Sequence, residues 1–413
     1  MPEFLSLTPL QQAIELLLDA LPHGGERATD QIYTEDALGR ILAEAIKAQS
    51  PLPAFDRSTV DGYAVRAKDT FGASSNLPAY LKLAGEILMG KPASQAVDEM
   101  GAMLIHTGGM IPGNADSVVM VENTQSVKGD EIEVIKPVAV GENILKKGED
   151  VLTGDTVISP GTRIRPAEIG GLMAQGITQV TVYQPIQVGI ISTGDEVVSP
   201  KSTPAPAQVR DANSYTLKTL VEAKGAMART YGIVPDDYNT LLKVVKKAHH
   251  ENDVVIITAG SSVSARDVSV DVIQELGEPG VLVHGISIKP GKPTILAVAG
   301  GVPVIGLPGN PVSALVVGGL ILTPLLRAIM RLEDDPPTPT VRALLTANVP
   351  SQTGREDYQP VRLSGNEGSW KAEPVFGRSN LIFTLVRSVC LVRIPPESTG
   401  LEAGAAVEVM LMT

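Results

Sequence analysis

The sequence predicts an α/β chain with β-rich companions: a doubly wound α/β domain, a β-rich inserted domain, an elongated connector domain and a small C-terminal β-barrel-like domain. Three observations carry this. Between Pro185 and Arg331, short β-branched runs alternate with helical stretches, the pattern of a sheet covered by helices. From Phe55 to Gly141, and again from Thr340 to Thr413, the pattern is short β-like runs separated by Gly and Pro. Finally, 413 residues exceed the roughly 250–300 that one core serves, so several domains must share the chain.

In chain order, Thr8-Pro9-Leu10-Gln11 supplies a capping residue, a proline for the first helical position and a Gln at the capping-box position. Leu10, Ile14, Leu17, Leu18 and Leu21 then form one apolar stripe that must dock. Asp36–Ala48 reads as a short helix ended by Pro51-Leu52-Pro53. Runs at Tyr80–Ala84, Ala102–Ile105 and Ser117–Glu122 make 51–141 the inserted domain. The Gly-studded stretch 142–184, with a helix over Pro166–Gln175, returns to pack on 27–50 as the connector. In the α/β domain, 1–26 with 185–333, strands are expected at Gln187–Ser192, Ala226–Val234, Asp253–Ala259, Val281–Ile288, Thr294–Val298 and Val302–Gly306. Helices are expected at Ser214–Lys224, Tyr238–His250, Val268–Leu276 and Val312–Met330. Asp334–Pro339 is a stiff linker, and 338–413 forms the C-terminal domain.

A formal charge of −12 argues against a nucleic-acid or membrane-surface binder, which needs a basic field. An anionic substrate must therefore meet a local basic pocket. The single cysteine, Cys390, excludes an intramolecular disulfide framework and a cysteine metal cluster, and its apolar neighbours make it a buried core residue. No leader segment is read at the amino terminus, and the apolar stretch Val312–Leu322 falls short of the ~20 residues that span a bilayer. The expectation is a cytoplasmic protein.

In an open α/β sheet, ligands collect outside the carboxyl ends of the strands. Asp195 and Glu196 follow the first strand in Ser192-Thr193-Gly194-Asp195-Glu196, where they can hold a divalent cation or serve as ordinary turn residues. Gly260, Ser261 and Ser262 follow the third strand and lead to Arg266 and Asp267; small residues there let backbone N–H groups approach an anion. Lys289 and Lys292 are framed by Pro290, Gly291 and Pro293, a rigid setting that an idle surface lysine does not need. Pro308, Gly309, Asn310 and Pro311 join a strand to the long helix, whose free N–H groups suit an anion as well as a plain turn. His249 and His250 read as solvated residues at a helix end that favours cations. No Walker loop, dinucleotide fingerprint, zinc-protease helix or nucleophile elbow is present.

Taken in order, Asp61-Gly62-Tyr63-Ala64-Val65, Thr107-Gly108 with Pro112 and Ala115–Val119, Ser192–Glu196, Asp211-Ala212-Asn213-Ser214, Val234-Pro235-Asp236-Asp237, Lys289–Pro293 and Leu307–Pro311 closely resemble the molybdopterin molybdenumtransferase family, which includes the C-terminal half of gephyrin. The likeness spans nearly the whole chain. It implies a four-part subunit and a homodimer whose cleft joins the α/β domain of one chain to the β-rich domain of the other. It implies adenylyl-molybdopterin and molybdate as substrates, Mg²⁺ as the cofactor, and release of AMP. Residues matching Asp195, Glu196, Asp236, Asp237, Asp267, Lys289, Lys292, Pro308 and Pro311 would line the cleft. Asp61 and Thr107 would enter from the partner, and Arg355 and Ser379 match residues of the C-terminal domain. One departure stands out: the family's Gly-Gly-Val-Ser-Val-Gly turn is replaced by Gly260–Arg266, and Asp267 aligns only after a one-residue deletion. The Arg266-Asp267 pair is similar to that of the related molybdopterin adenylyltransferases. That activity, or a non-catalytic pterin-binding scaffold, are the alternative functions.

The expected mechanism places Lys289, Lys292 and the N–H groups near Gly260 and Gly309 on pyrophosphate and molybdate oxygens. Asp195, Glu196, Asp236, Asp237 and Asp267 are the expected metal-binding set.

Overall fold

The computed structural model describes residues 7–22, 24, 27–127, 129–259, 263–332, 338–366, 368–388 and 390–412, with the backbone alone at 263–267. Six strands form the central sheet: β1 (Gln187–Thr193), β2 (Met227–Val234), β3 (Val254–Ala259), β4 (Pro279–His284), β5 (Ile295–Ala299) and β6 (Val302–Pro308). Their spatial order is β2-β1-β3-β6-β5-β4. The pairs β1–β2, β1–β3 and β3–β6 are parallel, whereas β5 runs antiparallel to both β6 and β4.

The run Val254–Ala259 is buried throughout, as a parallel strand covered on both faces must be. Alternate residues serve opposite cores. Val188, Ile190, Val254, Ile256, Ile305 and Leu307 join one cluster, and Ile191, Val255, Ile257 and Val304 join the other. The first face is covered by α1 (Leu10–Asp19), α2 (Asn213–Ala223) and α5 (Pro311–Met330); the second carries Leu241, Val245 and Ala248 of α3 (Tyr238–Glu251) and Val272 and Ile273 of α4 (Val263–Gln274). By length and composition alone α5 could cross a membrane, but its Val316, Val317, Ile321, Leu322 and Leu325 fill the first core. Each such side chain contributes about 1.5–3 kcal/mol of burial.

The β-rich sheet runs in the order Ser117–Met120, Gly62–Val65, Gly101–Ile105, Ala79–Glu86, Glu131–Val134, Thr124–Ser126. Thr29–Tyr33 pairs with Gln179–Tyr183, and Ile46–Lys47 with Thr156–Ile158, so early and late segments build the connector together. Near the C-terminus, Glu356–Ser364, Lys371–Pro374, Thr340–Leu345, Ala406–Leu411 and Cys390–Ile394 pair in a closed ring of five strands.

Several expectations need correction. Thr8 does not cap α1, because its N–H donates to the Gly285 carbonyl and its carbonyl accepts from Ser287 N–H; Pro9 is the N-cap instead. Asp36–Ala48 is not a helix. Gly39 turns at φ 76°, and Leu42 N–H and Ile164 N–H donate to Thr162 and Arg40 carbonyls, so the backbone pairs across the connector. The expected strand Val281–Ile288 stops at His284, and Ile288–Lys289 instead adds to the C-terminal barrel beside Glu356–Asp357. His249 is not solvated: its Nε2 lies 2.8 Å from the Ala299 carbonyl oxygen. Cys390 is buried, as expected, and burial raises its thiol pKa. Most of the expected linker lies outside the described residues.

In the connector, Glu168 closes the first turn of the helix Pro166–Ala174. It accepts from Arg165 N–H at 2.8 Å and from the Arg165 guanidinium at 3.0 and 2.5 Å, which lowers its pKa to about 2. Glu168→Gln should lower stability by about 1 kcal/mol at pH 7. Because the folded pKa is depressed, the wild-type advantage is full above the unfolded carboxyl pKa and is lost as pH falls towards 2. Denaturant titrations across pH 2–7 measure that convergence.

Candidate functional site

The carboxyl ends of β1, β2, β3 and β6 share one edge of the sheet because these strands are parallel. Two antiparallel steps, from β6 to β5 and from β5 to β4, bring the end of β4 to the same edge. The described α/β-domain segments singled out for chemistry, those of Asp195, Asp236, Lys289, Lys292 and Pro308, therefore lie on one rim.

Lys289 and Lys292 occupy the connection between β4 and β5. Gly285 N–H donates to the Thr294 carbonyl, Ile286 N–H to the Lys292 carbonyl and the Thr294 hydroxyl to the Gly291 carbonyl. Gly291 adopts φ +115°, and a Cβ there would meet Val317 Cγ2 at 2.0 Å, so only glycine fits. At its first lysine the same loop crosses to the barrel: Ile288 and Lys289 pair in parallel with Glu356 and Asp357, and Glu356 N–H donates to the Ser287 carbonyl.

This joint forms an open cavity of about 740 Å³, lined among others by Lys289, Lys292, Pro308, Asn310, Arg355 and Ser379. Four cations line it, Lys289, Lys292, Arg355 and Arg378, against one carboxylate, Asp357. Arg355 Nε lies 2.8 Å from Asp357 Oδ1, and Lys289 Nζ 3.5 Å from Oδ2. Among the described residues, Lys292 and Arg378 have no side-chain partner. Gly309 and Pro311 do not line the cavity; they shape the turn into α5, where the Gly309 carbonyl accepts from Asn213 Nδ2. Val312 N–H is taken by the Ser379 carbonyl, so one donor expected for an anion instead ties the barrel to α5.

The acids gather at the other end of the rim. Asp195 Oδ1 accepts from Asp236 N–H at 3.2 Å. Burial raises the Asp236 pKa, helped by the charges of Asp195 and Glu196. Asp237 is committed to capping α3: its Oδ2 accepts from the Thr240 N–H at 2.9 Å and the Thr240 hydroxyl at 2.7 Å, which lowers its pKa. No group of three metal-ligating side chains converges among the described residues, so the expected five-residue metal set is not assembled there. Gly260, Ser261, Ser262 and the Asp267 side chain lie outside the description.

On the β-rich domain, the Thr107 N–H and hydroxyl donate to Asp61 Oδ1 at 2.7 and 3.1 Å, lowering the Asp61 pKa. This exposed pair does not line the cavity of its own chain. Sequence reasoning missed Asp357 and Arg378. Arg355, just before the strand Glu356–Ser364, and Asp357 within it stand two apart, the spacing that puts side chains on one side of an extended chain, and this was the signal available.

Against known proteins, the profile of the "MoeA N-terminal region (domain I and II)" matches residues 8–176, that of a "Probable molybdopterin binding domain" matches 189–328, and that of the "MoeA C-terminal region (domain IV)" matches 342–412. A provisionally named molybdopterin biosynthesis protein of Methanocaldococcus jannaschii is 36% identical over 98% of both chains. The chain belongs to the MoeA family. Another MoeA relative, the molybdopterin molybdenumtransferase of Haemophilus influenzae, is 32% identical over 97% of both chains. The MoeA crystal structure from Pyrococcus horikoshii superposes with a TM-score of 0.79 at 37% identity, covering 98% of this chain and 99% of its own. The full-length MoeA fold, with its mixed α/β domain, β-rich domains and five-stranded C-terminal barrel, is thus present, and the chain is a MoeA-family molybdopterin biosynthesis protein.

Two expectations follow from the geometry. Gly291→Ala should destabilise the protein by more than about 1 kcal/mol and displace both lysines, read as a lower Tm with weakened oxyanion binding. Asp236→Asn should stabilise the ligand-free protein at pH 7. The folded pKa of Asp236 is raised, so its ionised form opposes folding above that pKa, and the gain from Asn should fade as pH falls through it. Thermal melts from pH 3 to 8 decide the sign.

Proposed function

We propose that this chain is a Mg²⁺-dependent molybdopterin molybdenumtransferase that inserts molybdate into adenylyl-molybdopterin and releases AMP. The observation that carries the reading is a four-cation cavity in a chain of net charge −12, on the same sheet rim as a strained acidic pair. Three inter-strand steps separate β1 from β5, about 14 Å at ~4.8 Å per step. An extended ligand with an anion at one end and a phosphoanhydride at the other suits that span; a free oxyanion alone does not.

In this reading Lys289, Lys292, Arg355 and the Ser379 hydroxyl hold the molybdate oxygens, since donors already gathered around a charge stabilise it. Asp195 and Asp236, with Glu196 and Asp267 drawn in, would hold Mg²⁺, an ion that takes most of its ligands from substrate oxygens and water and so needs no preformed group of three side chains. Their chemistry fits a hard cation, because among the described residues no cationic side chain pairs with Asp195 or Asp236. Bound there, Mg²⁺ would offset charge on the phosphate oxygens. Cleavage of the phosphoanhydride frees AMP and makes insertion irreversible. Asp61 and Thr107 act from the partner in a homodimer, which accords with their absence from the cavity lining of their own chain.

Lys292→Ala should cut AMP release from adenylyl-molybdopterin with molybdate and Mg²⁺ by on the order of 10²-fold. An unchanged rate removes the lysine from the mechanism. ATP consumption with molybdopterin would instead identify an adenylyltransferase, and binding without turnover a scaffold.

A further inference from the structure

Asp357 has no part in the mechanism above, yet it is the one carboxylate lining a cavity otherwise furnished with cations. It is also deeply buried, at 4% exposure. A buried acid in an anion site is a contradiction on charge alone, because it repels the ligand that the cations attract. Its contacts resolve the contradiction. Arg355 Nε meets Asp357 Oδ1 at 2.8 Å and Arg355 Nη2 lies 3.5 Å from Oδ2, while Lys289 Nζ approaches Oδ2 at 3.5 Å. Backbone pairing of Lys289 with Asp357 fixes the distance between the strands that carry them.

We infer that Asp357 is a positioning residue that holds Arg355 and Lys289 in the geometry that receives the oxyanion; this rests on reading the cavity as an oxyanion site. A guanidinium gripped through two nitrogens has a fixed plane, which a single contact does not give. Arg355 keeps both Nη1 hydrogens and one Nη2 hydrogen for a ligand, because a guanidinium has five N–H donors and Asp357 engages two nitrogens. The ordering of two long side chains is completed on folding, so the ligand does not have to impose it. Lys292 and Arg378, without partners among the described residues, add attraction but no fixed geometry. The cavity therefore has a braced pair and an unbraced pair of cations, and Asp357 sets which is which.

The two readings of Asp357 predict opposite signs. If it acts only as a repelling charge, its neutralisation tightens anion binding; if it positions, neutralisation weakens binding although the site becomes more positive. The test is calorimetric titration of the full chain with molybdate, at a temperature well below the Tm of every variant. Asp357→Asn is expected to bind molybdate at least tenfold more weakly than wild type. It should also blunt the effect of a further Arg355→Gln change, because Arg355 has already lost its frame. Equal or tighter binding by Asp357→Asn overturns the proposal, and so does a lowered Tm with unchanged affinity. Should Asp357→Asn fail to fold, Asp357→Glu replaces it: the charge stays, the oxygens move by one methylene, and severalfold weaker binding is expected, with wild-type affinity overturning the proposal. A wild-type chain that takes up no molybdate sinks the oxyanion reading of the cavity itself, an outcome distinct from failure of the clamp.

Discussion

The short parallel pairing of Ile288 and Lys289 with Glu356 and Asp357 is the constraint on which the site depends. One lysine pair comes from the α/β domain, while Arg355, Asp357, Arg378 and Ser379 come from the barrel, so neither domain owns the cavity. Two backbone strands in register place their side chains with less slack than two packed surfaces would. The joint is reinforced where the Ser379 carbonyl accepts from Val312 N–H. It is also sealed by packing: Tyr358, Leu385 and Leu391 of the barrel belong to the same buried cluster as α1, α2 and α5. A shared core resists hinge motion, so the backbone that carries the cations is held in place before ligand arrives.

The two ends of the rim hold charge in opposite ways. At the barrel end, cations are braced by a buried carboxylate and by a loop that only glycine can turn. At the β1–β2 end, Asp195 and Asp236 lie within one hydrogen bond of each other, and the Asp236 pKa is raised by burial and by its acidic neighbours. In the first, Arg355 and Lys289 have a partner without ligand; the second is left with like charges together, the condition that a cation relieves. Capping draws Asp237 away from this corner, so the acidic turn serves structure and chemistry with adjacent residues.

Much of this was legible in the sequence because its periodicities are strong. A fully buried run such as Val254–Ala259 has few alternatives to a central strand, and the apolar stripe from Leu10 to Leu21 could only dock. The misread segments are those where backbone pairing at a distance overrides local pattern. Thr8 has the side chain of a cap, but its backbone is engaged by Gly285 and Ser287, nearly 280 residues away. Residues 36–48 are rich enough in Ala and Leu for a helix until Gly39 turns and Leu42 finds Thr162. Lys289, Lys292, Arg355 and Ser379 do line one cavity, but the break between His284 and Ile288 was invisible, because strand exchange between domains leaves no periodic mark. Asp357 escaped for a related reason: an acid beside an arginine reads as a surface pair until the strand is known to be buried.

The overall charge and the cavity charge have opposite signs, and distance decides which a ligand feels. At physiological ionic strength the Debye length is about 8 Å, so an oxyanion in solution is screened from most of the chain's net charge of −12. For a ligand seated in the cavity the nearest charges are four cations and one acid, all within a Debye length, so these outweigh the distant net charge even though Lys289, Lys292 and Arg378 remain exposed to solvent. Selectivity for anions therefore needs no basic surface, and a general basic surface would collect nucleic acid and acidic lipid as well. Concentrating the cations at one joint keeps the attraction local. Spending one of the few cavity-lining positions on a carboxylate then gives geometry where added charge would give only strength.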